Sequence, residues 1–362
     1  MEFHSGLNLL LEALAYLGRR AGGYDTAWML DRLQQHGVVD KSEPERLSVP
    51  ITELTNRLDR ALPFDEERLR FLFGNLPGFP YNRIGSYSRA FLMLYPMVSR
   101  FRGCCAEPAA WARARTPGQL AWDLASTLDL ADDSSGECTL SGEEFSARVL
   151  TLPVTAESKV AVLELYHQGS GLFEEALDMA EQVVRRMERE RPLLELCAAE
   201  FVREIRDQGP EALLSQTSAL NTNPGRSDVV HPFVYGMDTL LAVTPPAPGP
   251  VQVYCGVLRR SLQAALASAR GPEVEVCEAI RLMADQTRFD ILCYLRDHDA
   301  YGQELAAKFG LSRNTIHHHM SKLLAAHLVK CTVDGNRIYY RVDETTISRL
   351  LDRQRELLMP DA

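Results

Sequence analysis

The chain has 362 residues, of which 46% are hydrophobic, and it carries a formal net charge of −10 at neutral pH. This length predicts two or more domains, and the hydrophobic fraction is sufficient for well-formed cores. The start has no basic segment before an apolar run, and no stretch approaches about 18 apolar residues, so we expect neither a signal peptide nor a membrane span. Eight scattered cysteines without a CxxC pair are typical of a cytoplasmic protein.

Most of residues 1–210 has helical periodicity. The first helix is marked by a leucine stripe that ends near Gly22-Gly23, and Asp25 is placed to cap a second helix that ends near Gln35. Further helices are predicted over 52–61, 65–73, 87–101, 117–128, 141–150, 156–167, 172–189 and 193–207. Two of them begin with capping boxes, Thr116–Gln119 and Ser141–Glu144. These windows predict a compact helical domain.

The pattern changes after residue 210. Short strands are predicted over 229–235, 239–243 and 251–255, with the proline-rich stretch 245–250 as a stiff connector. A helix follows over 258–269, and Arg270-Gly271-Pro272 is the preferred domain boundary. We therefore expect a mainly α protein in which residues 1–270 form a mostly helical sensor or dimerisation domain and residues 271–362 form a second domain.

The second domain is predicted to begin with two helices, over 274–284 and after the cap at Asp285. We expect the second of these to bury Phe289, Ile291, Leu292 and Leu295. Residues 302–309 indicate a short helix, Gly310-Leu311 a turn, and Ser312 the cap of a further helix that ends near Ala326. One face of that helix carries an apolar stripe of Ile316, Met320, Leu323 and Leu324. The opposite side carries hydrogen-bonding residues, namely Arg313, Asn314, His317, His318 and Ser321.

Two strands, 329–333 and 337–342, are predicted to pair around the turn Asp334-Gly335-Asn336. Helix, turn, helix and hairpin in this order make a winged helix-turn-helix with a two-stranded β wing. A last helix carries the stripe Ile347, Leu350, Leu351, Gln354, Leu357 and Leu358, which can pack on its own domain or on a second subunit.

The charge distribution fits DNA binding better than the net charge does. Residues 308–341 contain six basic residues and one acidic residue, a net charge of +5, so the remainder of the chain carries −15. A local basic patch on an acidic protein is a workable footprint for phosphate groups.

Three motifs in this domain resemble those of the ArsR/SmtB repressors. They are Arg281-Leu-Met-Ala-Asp-Gln-Thr-Arg288, Leu311-Ser-Arg-Asn-Thr-Ile-His-His-His-Met320 and Asn336-Arg-Ile-Tyr-Tyr-Arg341. The resemblance covers about the last quarter of the chain, and the order and spacing of the motifs make it specific. It implies a transcriptional regulator, in most cases a repressor, that binds double-stranded DNA as a homodimer. In the family, the first and last helices of this domain commonly form the dimer interface.

Arg313 and Asn314 are the best candidates for reading bases, because arginine suits guanine and asparagine suits adenine. His317 and His318 are the next candidates, and all four positions match those that face the groove in the family. Arg313 and His317 replace the commoner glutamine and serine, which leaves the operator sequence open. Contacts to the DNA backbone are predicted for Ser312, Thr315, Ser321, Lys322, Lys330 and Arg337. The alternative is that these side chains form a solvated surface.

Metal binding is not expected. Adjacent helical residues point about 100° apart, so His317–His319 cannot share one ion, and we expect His319 to pack on the apolar side. The metal-sensing positions of the resembling family are occupied by 301–305 and 347–358, which lack a cysteine pair and a histidine, respectively. We expect Cys277, Cys293 and Cys331 to be small apolar fillers. No cofactor is predicted.

Two features of residues 1–270 leave alternatives open. The vicinal pair Cys104-Cys105 can act as a thiol-based sensor or bind a soft metal ion. The alternative is that both are ordinary residues at a helix end. Trp28, Trp111, Trp122 and the tyrosine-rich segment 81–95 can line an apolar ligand pocket or simply belong to the core. No nucleophile elbow, dinucleotide fingerprint, phosphate loop or HExxH motif is present, so we do not expect an enzyme.

Three hypotheses for residues 1–270 remain. The leading one is a sensor of a small organic ligand that changes the spacing of the two DNA-reading helices in the dimer. The second is a scaffold for dimerisation or protein interaction that binds no ligand. The third, an enzyme fused to a DNA-binding domain, is disfavoured by the missing motifs.

Overall fold

A computed structural model describes residues 2–79, 87–98, 110–111, 114–128, 130–131, 139–210, 229–243, 250–269, 272–311, 313–334 and 337–359. These residues divide into two compact units. The N-terminal unit comprises residues 2–203 and 229–265, and the C-terminal unit comprises residues 204–210 and 266–359. Of the predicted boundary Arg270-Gly271-Pro272, residues 270–271 lie outside the described residues, and Pro272 begins a helix. Among the helices described, none combines the length and the apolar character that crossing a membrane demands.

Helices build most of the N-terminal unit. They are α1 (Leu9–Gly22), α2 (Thr26–Gln35), α3 (Ser42–Ala61), α4 (Glu66–Phe73), α5 (Arg89–Val98), α6 (Pro117–Thr127), α7 (Gly142–Leu150), α8 (Ala156–Arg189) and α9 (Arg191–Gln208). Asp25 caps α2 by accepting the Trp28 N–H at 2.8 Å. Both predicted capping boxes are present, at the starts of α6 and α7. The capping signals of the sequence are therefore confirmed.

The prediction of two helices over 156–167 and 172–189 is wrong, because α8 is one helix of 34 residues. It continues through Gly169 and Gly171, although glycine disfavours helix interiors. Leu165 and Ala176, on either side of the two glycines, are buried, and α8 packs against α1 and α5. Tertiary packing on both halves thus outweighs the local glycine preference. Helix α3 is also longer than predicted and begins at Ser42 instead of residue 52.

The N-terminal unit also contains a four-stranded sheet. Its strands are β1 (Glu2–Phe3), β2 (Val229–Phe233), β3 (Leu240–Val243) and β4 (Gln252–Gly256), in the order β1-β2-β4-β3. The pairs β1–β2 and β2–β4 are parallel, and β3 is antiparallel to β4. The three strands after residue 228 were predicted, whereas β1 is too short to show an alternating pattern. Helix α10 (Arg259–Ala269) follows the sheet.

Two buried residues on α1, Glu12 and Arg19, hold the bend that follows β2. The two carboxylate oxygens of Glu12 accept the N–H groups of Val234 and Tyr235, each at 2.8 Å. About two turns further along α1, Arg19 Nε donates to the carbonyl oxygen of Tyr235 at 2.5 Å. Burial raises the pKa of Glu12 to about 8, and the two N–H groups and Arg19 act in the opposite direction. Sequence patterns did not identify this contact, because its partners lie far apart in the chain.

The C-terminal unit contains a small antiparallel sheet among five helices of the described residues. In chain order its elements are α11 (Pro272–Met283), α12 (Gln286–Asp297), β5 (Ala300–Tyr301), α13 (Gly302–Phe309), α14 (Arg313–Ala325), β6 (Val329–Asp334), β7 (Arg337–Val342) and α15 (Glu344–Leu358). The sheet order is β5-β7-β6. The predicted two-stranded wing therefore has a third strand, β5, which consists of two residues.

The core of this unit includes Ile291, Leu292 and Leu295 of α12, as predicted. Phe289 was predicted to join them, but it is 52% exposed. The reason is geometric, since Phe289 precedes Ile291 by two residues, a rotation of about 200° around the helix. Cys331 is buried as predicted, whereas Cys277 and Cys293 are exposed and do not fill the core.

Candidate nucleic-acid interface

The two helices of the helix-turn-helix are joined at a glycine with left-handed backbone geometry. Gly310 has φ +63°, and its N–H donates to the carbonyl oxygen of Ala306 at the end of α13. The N–H of Leu311 donates to the same carbonyl at 3.0 Å. This backbone conformation suits glycine, because other residues carry a Cβ that disfavours it. The turn therefore sets the angle at which α14 leaves α13.

Helix α14 buries one apolar stripe, and Ser321 and Lys322 outside that stripe are exposed. Ile316, Met320 and Leu323 are buried, as the sequence predicted. Because successive residues are rotated by about 100°, Asn314 and His318 fall opposite this stripe, and Arg313 and His317 fall on its flank. All four lie within the helix, but their side chains are outside the described part of the structure.

The predicted backbone contacts lie at both ends of α14 and in the wing. Ser321 and Lys322 are exposed, and Thr315 is partly buried. Ser312 lies outside the described residues. Arg337 begins β7 and pairs in register with Asp334, although its side chain is not described. The positions of Ser321 and Lys322 are thus accessible to a ligand as large as DNA.

Lys330 is engaged within the protein. Its Nζ lies 3.0 Å from Oδ1 of Asp343, which is buried. Burial opposes the ionisation of Asp343, but hydrogen bonds from Lys330 and Thr346 outweigh this and lower the pKa of Asp343. Asp343 also caps α15 by accepting the N–H of Thr346 at 3.3 Å. A phosphate contact would therefore have to compete with a carboxylate for this ammonium group.

His319 does not face the apolar stripe alone. Its side chain is 13% exposed, and its Nδ1 lies 4.0 Å from Oδ1 of Asp285. Asp285 caps α12 by accepting the N–H of Arg288 at 3.0 Å, and this hydrogen bond lowers the pKa of the carboxyl group. The sequence predicted the cap but not its contact with α14.

Helix α15 packs on α11 and leaves apolar residues uncovered. Leu350 is buried in the core of the unit, and Ile347 and Leu357 pack against that core. Leu351 and Leu358 of the same predicted stripe are 50% and 69% exposed, and Ile280 on α11 is also exposed. One side of the stripe therefore packs in the core of its own unit. The other side, with Leu351 and Leu358, is exposed in the described part of the structure.

The candidate sensor residues of the N-terminal unit pair mainly with one another and with arginines. Trp28 contacts Tyr24 edge-on, with ring centroids 4.9 Å apart, and Arg115 lies over Trp111 at 4.4 Å. Tyr95 stacks on Phe91 at 4.8 Å, and burial raises its pKa to about 12. Trp122 is partly buried. Residues 81–86 and the pair Cys104-Cys105 lie outside the described residues. Among the residues that are described, no cluster of three metal-ligating side chains occurs.

Helix, turn, helix and antiparallel strand pair in this order define the C-terminal unit as a winged helix-turn-helix, a class of DNA-binding domain. Residues 285–330 match the family described as "Bacterial regulatory protein, arsR family". The chain therefore carries an ArsR-family helix-turn-helix domain in its C-terminal quarter.

The relatives of this domain are named as transcriptional regulators. The chain is 34% identical over 83 residues to the HTH-type transcriptional regulator KmtR of Mycobacterium tuberculosis, which covers 22% of this chain and 64% of KmtR. It is 37% identical over 71 residues to CmtR of Mycobacterium bovis, which covers 20% of this chain and 60% of CmtR. The arsenical resistance operon repressor of Staphylococcus aureus is 26% identical over 77 residues, 21% of this chain and 74% of the repressor. The chain spans less than two thirds of the two mycobacterial regulators.

Among solved structures, an ArsR-like transcriptional regulator from Rhodococcus sp. RHA1 aligns with 28% identity and a TM-score of 0.23. The alignment covers 25% of this chain and 83% of that one. NolR from Sinorhizobium fredii aligns with 25% identity and a TM-score of 0.20, over 32% of this chain and 96% of NolR.

Proposed function

We propose that the protein is a transcriptional repressor that binds an inverted-repeat operator as a homodimer and responds to a small organic ligand through its N-terminal unit. The observation that carries the DNA-binding part is helix α14. It follows a helix-turn-helix bend, buries Ile316, Met320 and Leu323, and leaves Ser321 and Lys322 exposed within the segment that matches the ArsR family. A helix presented in this way fits the major groove of DNA.

Sequence reading is assigned to Arg313, Asn314, His317 and His318. Asn314 and His318 lie opposite the buried stripe of α14, and Arg313 lies at its first turn, where recognition helices contact base edges. Ser312, Thr315, Ser321, Lys322 and Arg337 are assigned to the DNA backbone. Lys330 already forms an ion pair with Asp343, so it is the weakest candidate for a contact to the DNA backbone.

Dimerisation is assigned to the uncovered side of α15 and α11. Isolated exposed leucines are common on protein surfaces, but here Leu351 and Leu358 follow each other at a spacing of seven on one helix, beside the packed helix that carries Ile280. A two-fold axis at this face would place two α14 helices in successive major grooves.

The sensor role of the N-terminal unit is supported by its size and by its aromatic residues. A DNA-binding module of this type occupies about a quarter of the chain, so the remaining residues serve another purpose. Tyr95 stacks on Phe91 at 4.8 Å and remains partly accessible, so its ring can contact a ligand as well as the core. The alternative is a scaffold without ligand, or a thiol or soft-metal sensor that uses Cys104-Cys105.

Two measurements on the full chain test this function. Selection of bound duplexes from a random library should return an inverted repeat whose half-sites are about one helical turn apart. Native mass spectrometry of the protein as purified should show a dimer with a stoichiometric extra mass. Recovery of no enriched sequence would contradict DNA reading, and a dimer that stays free of bound mass against a metabolite mixture would favour the scaffold.

A further inference from the structure

Helix α14 contacts the residue that caps α12, through His319 and Asp285. Nδ1 of His319 lies 4.0 Å from Oδ1 of Asp285, and the His319 side chain is only 13% exposed. Asp285 uses the same oxygen to cap α12, where it accepts the N–H of Arg288 at 3.0 Å. One carboxylate therefore organises the start of a core helix and faces the helix that is proposed to enter DNA.

The charges around this contact are few and can be assigned. Arg288 Nη1 lies 3.6 Å from Oδ2 of Asp285, and Lys322 adds positive potential from α14. The charged groups described on the other elements packed against α14 have their own contacts, which are Lys308 over the Tyr294 ring, Glu304 accepting from the Tyr301 N–H, and Lys330 beside Asp343. Asp285 is thus the carboxylate that His319 faces.

The protonation state of His319 changes the nature of this contact. At 4.0 Å the two atoms are too far apart for a hydrogen bond, so a neutral imidazole adds no hydrogen bond to Asp285 at this contact. A protonated imidazole would form an ion pair with Asp285, in which the His319 side chain is shielded from water and the Asp285 side chain is 37% exposed. Histidine is the side chain whose ordinary charge change lies between pH 5 and 8, so this pH range is the one in which the contact can be tested.

We propose that His319 is a positioning residue for DNA binding, whose protonated form holds α14 against Asp285 in the orientation that enters the major groove. DNA binding then takes up a proton at this position, and the negative potential of the phosphates favours the same form. The affinity for operator DNA rises as the pH falls from 8 to 6 for this reason, in addition to any effect of His317 and His318. This inference rests on the proposed DNA-binding function.

The test measures the dissociation constant of the full chain for a selected duplex from pH 6 to pH 8 at fixed salt. His319→Gln removes the titrating group, and Asp285→Asn removes the charge while keeping a side-chain oxygen that can cap α12. In each variant, the increase in affinity between pH 8 and pH 6 should be about fivefold to tenfold smaller than in the wild type. The double variant should lose no more of this increase than either single variant. His298→Gln is the control, since His298 is exposed at the end of α12 and contacts Tyr294.

The outcomes separate the two proposals. Variants that melt like the wild type but keep its pH profile would overturn the role of His319. A loss of affinity that is equal at all pH values would also overturn it, because a purely structural role predicts that result. If the wild type bound no duplex at any pH, the DNA-binding function itself would fail.

Discussion

The carboxylate of Glu12 accepts the backbone N–H of Tyr235 at 2.8 Å, across 223 residues of sequence. Glu12 is buried, and its second oxygen accepts the neighbouring N–H of Val234. The charge of Arg19 on the same helix partly offsets the cost of burial. This arrangement fastens the first helix of the chain to the sheet that closes the N-terminal unit.

Glu12 should make the stability of the N-terminal unit depend on pH in the neutral range. Its pKa is about 8 in the folded protein and about 4.5 when exposed, so the folded state holds a proton that the unfolded state releases. The associated stability is complete below pH 4.5 and is lost as the pH rises to 8, a change on the order of 5 kcal/mol. Denaturant unfolding of the wild type and of Glu12→Gln should show this slope in the wild type alone. Equal slopes would mean that Glu12 titrates elsewhere.

Two glycines with open surroundings should respond oppositely to alanine. A Cβ at Gly171 or at Gly23 would meet no atom within 4 Å. Gly171 lies within α8, where alanine is the better helix former, so Gly171→Ala should raise the unfolding free energy by about 1 kcal/mol. Gly23 caps α1 with φ +69°, so Gly23→Ala should lower it by about 1 kcal/mol. Thermal melts of both variants check the pair, and a destabilised Gly171→Ala would argue against one continuous α8.

Asp343 should be more important to the C-terminal unit than its partner Lys330. Removing Asp343 exposes the first turn of α15 and leaves Lys330 without its carboxylate, which should cost about 3 kcal/mol. Lys330→Ala leaves the hydrogen bonds from Thr346 in place and should cost less.

The same carboxylate gives this prediction a pH signature. Because the pKa of Asp343 is lowered by folding, its contribution is present above the unfolded pKa and is lost as the pH falls through the folded pKa. The difference between wild type and Asp343→Ala should therefore be largest at pH 7 and shrink below about pH 4. Unfolding curves at pH 7, 4 and 3 measure it. A difference that does not change with pH would point to lost packing instead.

Arg313 and Arg337 should affect DNA binding in different ways. Arg313→Ala should relax the preference for one base pair, because a bidentate contact contributes about 1–3 kcal/mol of discrimination. Arg337→Ala should weaken binding to all duplexes alike and reduce the slope of affinity against salt by about one. Titrations of operator and scrambled DNA at several salt concentrations distinguish these effects. Wild-type behaviour of both variants would show that this surface does not contact DNA.

A charge on the uncovered side of α15 should separate the proposed dimer. Leu351 is 50% exposed, so Leu351→Glu should leave the subunit folded while placing a desolvated carboxylate in the interface. Leu196→Glu on α9 is a matched control, because Leu196 is 59% exposed and lies outside the proposed interface. Sedimentation should show a monomer for the first variant and a dimer for the second. A dimeric Leu351→Glu would remove this face from consideration.

Local signals predicted most helices and the DNA-binding domain. Caps such as Asp25 and Asp285 act within one turn, so their residues are adjacent in the sequence. The continuity of α8, by contrast, depends on helices packed against both of its halves, and the strands β1 and β5 are too short to show a period. The partners of Glu12 and His319 follow from the tertiary fold. No spacing in the sequence could have indicated them.

The pairing of β1 with β2 has a consequence for the synthesis of the protein. Phe3 pairs with Val230. The hydrogen-bond partner of Glu12, Tyr235, is translated 223 residues after Glu12. At about 5–20 residues per second, this delay lasts on the order of 10 to 45 s. During that time the earliest helix has an apolar face and a carboxylate whose backbone partners do not yet exist. The contact between α1 and the bend after β2 can therefore form only after residue 235 has been translated.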